Sequence, residues 1–282
     1  MKILKNKTAL ITGGARGVGR SITEKFLGEG AKVLICSRNE EELKQTVKEL
    51  DPSGRRLFFT KCDVSSFEDC QKLFELTKNK FKSLDILVNN AGIYGPIGLV
   101  ETNDPKEWAK TLEINLLGTV NCTMLALKIM KKQESGKIIN LAGAGVGGKK
   151  PLSRFSAYYT SKSAVAAFTE VVASETLEDN IQINAISPGA INTYFTEFLL
   201  AQGKDKAGEM YDQALKQKET GGDSPQLGAD LCVFLASEES GNVTGKLLSA
   251  KWDKQENLRK LTPKNSNRYT LRRIDEELFG EK

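Results

Sequence analysis

Tyr158 and Lys162 are the residues whose types and spacing first suggest chemistry. Four apart on a helix, they share one face. The run after them predicts that helix, with Ala164, Val165, Ala167, Phe168, Val171 and Val172 at helical apolar spacing and no Pro or Gly from Ser163 to Asn180. A phenol is a poor proton donor or acceptor at neutral pH, because its ordinary pKa is about 10. A neighbouring ammonium favours the phenolate and brings Tyr158 towards the range a general acid–base needs. A Tyr and a Lys one turn apart are common, so the pair needs support from the rest of the chain.

Composition removes most rival chemistries. The 282 residues contain no histidine, which excludes His-based triads, imidazole acid–base work and the usual zinc-hydrolase ligand sets. Any base here is a Tyr, a Lys or a carboxylate, and no metal site is expected. With 41 basic and 36 acidic residues and no basic stripe interleaved with aromatics, no nucleic-acid partner is expected. Cys36, Cys62, Cys70, Cys122 and Cys232 are odd in number and lack Cys-x-x-Cys spacing, so they read as buried free thiols in a reducing compartment. The apolar run Thr8 to Thr12 is too short for a signal segment, and no apolar stretch of about 18 residues is evident. The expectation is a soluble cytoplasmic protein with no membrane partner.

The elements that must position the pair alternate in type. Short apolar runs at 8–12, 32–36, 57–60, 85–88, 137–141, 182–186 and 246–250 read as strands, and most are followed by ten or more residues with helical spacing. That order predicts right-handed crossovers and a doubly wound α/β fold of the Rossmann type: one parallel sheet, covered on both faces, in a single domain. Ligands bind beyond the carboxyl ends of such strands, where every motif singled out here lies. The domain is expected over residues 1–250, with 251–282 as an extension.

Between the first strand and the first helix, Gly13, Gly17 and Gly19 form Gly-x-x-x-Gly-x-Gly. Such glycines make a tight turn, let backbone approach a pyrophosphate, and open a helix amino terminus to an anion. At the end of the second strand a carboxylate would suit a free ribose 2′-hydroxyl. The residues there are Ser37 and Arg38, and Arg38, helped by Arg16, offers a guanidinium fork to a 2′-phosphate. NADP(H) is the expected cofactor, the alternative being that Arg38 is a surface residue and Asn39 or Glu40 meets the ribose. Asp63, at the end of the third strand, is placed to accept from an adenine amino group or to cap the next helix, as Ser65 or Ser66 might also do.

Together these residues resemble the short-chain dehydrogenase/reductase family. Thr12 to Gly19, Asn89-Asn-Ala-Gly92, Asn115, Tyr158-x-x-x-Lys162 and Pro188-Gly-Ala-Ile-Asn-Thr193 fall in that family's order, over about residues 5 to 250. The resemblance implies an NAD(P)(H)-dependent oxidoreductase that interconverts a small-molecule ketone and a secondary alcohol. Tyr158 would donate and accept the proton, Lys162 would bind the nicotinamide ribose and depress the tyrosine pKa, and Asn115 would hold a relay water. It assigns Gly13, Ala15, Arg16, Gly17, Val18, Gly19, Val64, Asn90, Ala91, Gly92, Pro188, Gly189, Ile191 and Thr193 to the cofactor, beside Ser37, Arg38 and Asp63. It also implies a homotetramer, or a dimer, built on the helices near 105–130 and 157–177.

One departure stands out. The family normally has a serine just after the strand that ends at Asn140-Leu141, donating to the substrate oxygen. Here Ala142 to Gly148 contains no hydroxyl, and losing one such donor costs a working site roughly a hundred- to a thousandfold. Three readings stay open: Ser153 or Ser156 replaces it, the loop's backbone N–H groups serve, or the protein is a cofactor-binding sensor or structural protein with little catalysis. On the first two readings, Ala142→Ser leaves activity unchanged or raises it. Between Thr193 and Ser224, Tyr194, Phe195, Phe198, Leu199 and Leu200 with several lysines suggest a lid over an elongated or anionic carbonyl compound, or else an amphipathic helix pair closing the core. In the extension, Leu271, Ile274 and Leu278 form an apolar stripe expected to pack on the pocket mouth or a neighbouring subunit.

Overall fold

Each short apolar run becomes a strand because its side chains alternate between two helix layers. The computed structural model describes residues 2–143, 145–147, 151–261 and 268–271. Its strands are β1 (Thr8–Thr12), β2 (Lys32–Ser37), β3 (Leu57–Lys61), β4 (Ile86–Asn89), β5 (Gly136–Leu141), β6 (Ile181–Ser187) and β7 (Leu247–Ser249). They form one parallel sheet in the order β3-β2-β1-β4-β5-β6-β7. Ala9, Ile11, Val33 and Ile35 face one apolar cluster, while Leu10, Leu34 and Cys36 face the other. This is the doubly wound, Rossmann-type single domain expected from the sequence.

The helices are α1 (Gly17–Gly28), α2 (Glu40–Leu50), α3 (Phe67–Phe81), α4 (Pro105–Leu112), α5 (Gly118–Gln133), α6 (Ser156–Glu175), α7 (Tyr194–Ala201), α8 (Gly203–Ala207), α9 (Glu209–Thr220) and α10 (Pro225–Ala236). α1 starts three residues before the apolar spacing suggests, because its first turn is built from glycines that carry no pattern. Between α4 and α5 the chain makes one π-helical turn, Glu113–Leu117. Residues 105–133 are therefore one 29-residue helix, and it is long and apolar enough by length and composition to cross a membrane. That corrects the expectation that no such stretch exists. In the fold its buried residues Ile114, Cys122, Leu125, Ala126 and Met130 join the core cluster that Leu10, Leu34 and Cys36 face.

All five cysteines are free and buried, as the sequence suggests. Past β7, Leu258 is fully buried in the cluster under α1 and α10, with Leu261 and Tyr269 against its edge. The N–H of Leu247 donates to the carbonyl of Tyr269 (2.7 Å), so 268–271 run beside β7. Leu271 rests on Ala142, Val146, Ala166 and Ala185, behind the loop after β5. Ile274 and Leu278 lie outside the described residues.

Candidate active site

The strand order reverses between β1 and β4, and a cavity of about 420 Å³ opens beyond their carboxyl ends. Its floor is the glycine turn. The side chain of Asn90 donates to the carbonyls of Thr12 and Gly13 (both 2.9 Å), and Thr12 Oγ1 accepts from the N–H groups of Asn90 and Ala91 (both 3.0 Å). Gly19 lies beneath the turn and lets α1 come this close, since a Cβ there would fall 2.1 Å from the Gly13 carbonyl oxygen. Arg16 starts α1 without a side-chain cap, and no acid sits in the first turn. Its leading N–H groups are therefore free of side-chain caps and suited to an anion.

Of the residues expected from the sequence to meet a cofactor, Gly13, Ala15, Arg16, Gly17, Val18, Ser37, Arg38, Asp63, Val64, Asn90, Ala91, Gly92 and Thr193 line this cavity. Arg38 is exposed at the rim and has no ion pair among the described residues. Its rivals for the ribose are engaged: Asn39 Oδ1 caps α2, accepting from the N–H groups of Glu41 and Glu42 (3.1 and 3.2 Å), and Glu40 pairs with Lys44 (3.1 Å). Arg16 pairs with Glu42 (3.6 Å) and lies over the Tyr194 ring (4.5 Å). Asp63 does not cap α3. One of its oxygens accepts from the N–H and hydroxyl of Ser65 (3.0 and 2.7 Å), and Ser66 is the cap, accepting from the Asp69 N–H (3.2 Å). The sequence reading missed Cys36 and Cys62 as wall residues, although both sit at strand ends where ligands bind.

The reaction end is built differently. α6 buries Tyr158, Ser161, Lys162, Val165 and Ala166 on one stripe, so the predicted shared face exists. The Lys162 ammonium donates to the Leu141 carbonyl (2.7 Å). The π turn points Asn115 inward, where its Oδ1 accepts from the Ile93 N–H (2.8 Å) and its Nδ2 donates to the Ile93 carbonyl (2.9 Å) and Ser161 Oγ (3.0 Å). Beside Gly92, a Cβ would meet Asn115 Oδ1 at 3.0 Å and Lys162 Nζ at 3.4 Å. Tyr158, Lys162 and Asn115 are thus gathered at one place, next to the cavity's Gly92 end but not on its wall.

Over Tyr158 lies an aromatic cluster. The Tyr94 ring meets Tyr158 edge to face (centroids 4.8 Å), and Phe155 and Phe195 flank Tyr94 at 5.4 and 4.5 Å. Leu199, Ala207 and Ala214 of α7, α8 and α9 complete it, so these helices share one apolar cluster with Tyr158. Two of the lid lysines are engaged, Lys204 with Asp212 (2.9 Å) and Lys218 with Glu197 (3.0 Å).

These surroundings correct the expected titration. Burial, reinforced by the neighbouring Tyr94, pushes the Tyr158 phenol well above its ordinary value. Burial also lowers Lys162 to about 8. An apolar pocket disfavours the charged form of both groups, and in this structure that outweighs the attraction expected between phenolate and ammonium. Tyr158 keeps its proton, the state from which it can donate.

Residues 7–203 match the short chain dehydrogenase family. The chain belongs to that family. It is 35% identical over 233 residues to L-fucose dehydrogenase of Bos taurus, covering 82% of this chain and 83% of that one. It is 32% identical over 246 residues to the 3-oxoacyl-(acyl-carrier-protein) reductase FabG of Thermotoga maritima, covering 87% and 96%. A crystal structure of actinorhodin polyketide ketoreductase with NADPH superposes with a TM-score of 0.78 at 29% identity, covering 86% of this chain and 95% of that one. The protein is therefore an NAD(P)-dependent oxidoreductase of the short-chain dehydrogenase family.

Two segments of this dehydrogenase depart from expectation. In Pro188 to Thr193 only Asn192 and Thr193 line the cavity. Pro188 packs against Gly228, Gly189 against Asp223, and Ile191 is buried, because the strand end turns inward before Thr193 caps α7. After β5, Ala142 is fully buried against Val146, Ala166 and Ala185, facing away from Tyr158. A serine at 142 would bury its hydroxyl there rather than reach the site, so Ala142→Ser is not a gain-of-activity substitution. The residue facing Tyr158 is Gly143, where φ is +99° and a Cβ would lie 2.4 Å from Tyr158 Oη. The N–H groups of Ala142 and Gly143 both point at the Ile186 carbonyl (2.9 and 3.4 Å) and are not available to a substrate.

Proposed function

We propose that this dehydrogenase is an NADP(H)-dependent reductase that interconverts a ketone and a secondary alcohol, with Tyr158 giving and taking the proton. The observation that carries the reading is the buried Tyr158 phenol, gathered with Lys162 and Asn115 at the Gly92 end of a cavity whose other end holds Arg38. Similar structures, those of a polyketide ketoreductase and levodione reductase, point the same way.

The residues present fit the cofactor. The uncapped start of α1 suits a pyrophosphate, Arg38 with Arg16 suits a 2′-phosphate, and the unused oxygen of Asp63 suits the adenine amino group. When bound, the nicotinamide supplies or accepts the hydride. Tyr158 Oη passes its proton to the substrate oxygen as the carbonyl is reduced. Lys162, anchored on Leu141, holds a positive charge near that phenol as it empties. Both N–H donors of Asn115 are engaged, which leaves acceptor capacity for a relay water. The lid of α7 to α9 excludes solvent.

The reading extends to organisation. Residues 1–250 serve as the catalytic domain and 251–282 as an extension, of which 268–271 run beside β7. Leu117, Met124 and Val171, 48, 49 and 56% exposed on the π turn, α5 and α6, suit a homotetramer or dimer built on those helices, and a monomeric mass by light scattering rules that out. Five buried thiols fit a reducing, cytoplasmic location.

A second reading, a cofactor-binding protein with little turnover, is supported by Ala142 and Gly143. A panel of ketones, sugars and acyl thioesters, followed by NADPH absorbance, separates the two. The reductase consumes NADPH with at least one of them, and silence across the panel, and across alcohols with NADP⁺, establishes the binding protein.

A further inference from the structure

A carbonyl oxygen accepts two hydrogen bonds, and Tyr158 can provide one. The loop after β5 offers no side-chain hydroxyl from Ala142 to Gly148, and the N–H groups of Ala142 and Gly143 are directed to Ile186. Ser153 is exposed. Ser156 Oγ accepts from Trp108 Nε1 (3.1 Å) and lies two residues, about 200° around the helix, from Tyr158. Ser161 donates to the Tyr158 carbonyl (2.7 Å).

One hydroxyl is left. Tyr94 stands edge-on to Tyr158 with centroids 4.8 Å apart, and neither phenol oxygen has a hydrogen-bond partner among the described residues. The backbone that carries Tyr94 is held on both sides. Asn115 clamps the N–H and carbonyl of Ile93, and Gly95, at φ +70°, sits so close to Thr111 that a Cβ would lie 1.9 Å from its hydroxyl. Phe155 and Phe195 fix the ring. We infer that the Tyr94 hydroxyl is the second hydrogen-bond donor to the substrate oxygen, in place of the hydroxyl that Ala142 to Gly148 lacks. This rests on the reductase reading above. Burial pushes the Tyr94 phenol up to about 12, so it is a donor throughout the neutral range. A donor held in place before substrate arrives is the arrangement that stabilises developing oxygen charge most effectively.

The test is Tyr94→Phe, which keeps the ring, with Tyr94→Leu as a packing control. With a ketone found in the panel, Tyr94→Phe lowers kcat/KM by roughly a hundredfold or more. It weakens ketone binding to the non-reacting NADP⁺ complex about three- to tenfold, the worth of one hydrogen bond, without changing NADPH affinity or Tm. Tyr94→Leu loses about as much rate as Tyr94→Phe. If the wild type reduces ketones and Tyr94→Phe does so within about threefold, the inference is wrong and the reductase reading stands. If the wild type turns over nothing, both fall.

Discussion

The two ends of the site are held by opposite physics. At the nucleotide end, the turn after β1 is fixed by hydrogen bonds among Thr12, Gly13, Asn90 and Ala91, and its wall carries open polar groups and a cation, Arg38, with no ion pair among the described residues. At the reaction end, Tyr158 and Lys162 are buried among aromatic rings and helix backbone, and both are pushed towards their neutral forms. The first end suits recognition of a fixed, highly charged ligand. The second suits a proton that must not escape to water. A substitution at one end should therefore leave the other nearly untouched.

The largest effect is expected from Tyr158→Phe. Losing the proton donor should reduce ketone reduction by about a hundred- to ten-thousandfold, while the dissociation constant for NADPH changes by less than about twofold. A parallel loss of NADPH binding in a fluorescence titration would break the proposed separation. Next is Arg38→Asp, which removes a charge-assisted fork and adds a repelling carboxylate. The ratio of NADPH to NADH affinity should fall by roughly a hundredfold and reverse, with kcat on the preferred cofactor little changed. Equal stabilisation of the wild type by both cofactors in a melting experiment would remove the basis for the NADP(H) assignment.

Gly143→Ser is expected to lower activity even though it restores a hydroxyl after β5. The positive φ and the 2.4 Å approach to Tyr158 Oη force the ring to move, and the strained backbone costs about 1–3 kcal/mol. A faster Gly143→Ser enzyme with unchanged Tm would show that the loop is not built around the Tyr158 phenol.

The smallest effect is on stability. Burial lowers Lys162 from 10.5 to about 8, so between those values the unfolded chain binds more protons than the folded one at this residue. Its contribution to stability therefore rises as pH rises through that window, and is unfavourable below it. Lys162→Met should make the protein more resistant to urea at pH 7 and flatten this rise from about pH 8 to 10.5. A wild-type and variant difference independent of pH over that range would mean that Lys162 is not desolvated as the structure indicates.

Much of this was legible in the chain itself. Strand runs of about five residues, the three glycines, the absence of acid at Ser37-Arg38, and the one-turn spacing of Tyr158 and Lys162 are local patterns, and local patterns survive without knowledge of what packs against them. The π turn that aims Asn115 was not visible, because it replaces one hydrogen-bond register by another without changing the residue types of a helix. Nor was the direction of the Tyr158 shift, which depends on Tyr94, Phe155 and Phe195 meeting from three separate elements.

The sequence by itself determined the family and the alternation of strands and helices, and it singled out the glycine turn and the Tyr158–Lys162 pair, since each is encoded in residues close along the chain. Only the tertiary structure decided that Ala142 faces the core while Gly143 faces Tyr158, that Asp63 holds Ser65 while Ser66 caps α3, and that the ring of a tyrosine 64 positions before Tyr158 packs edge-on against it. Which way a side chain points after a strand ends, and what it meets there, is set by long-range packing and hydrogen bonding. Those constraints have no counterpart in the order of the residues.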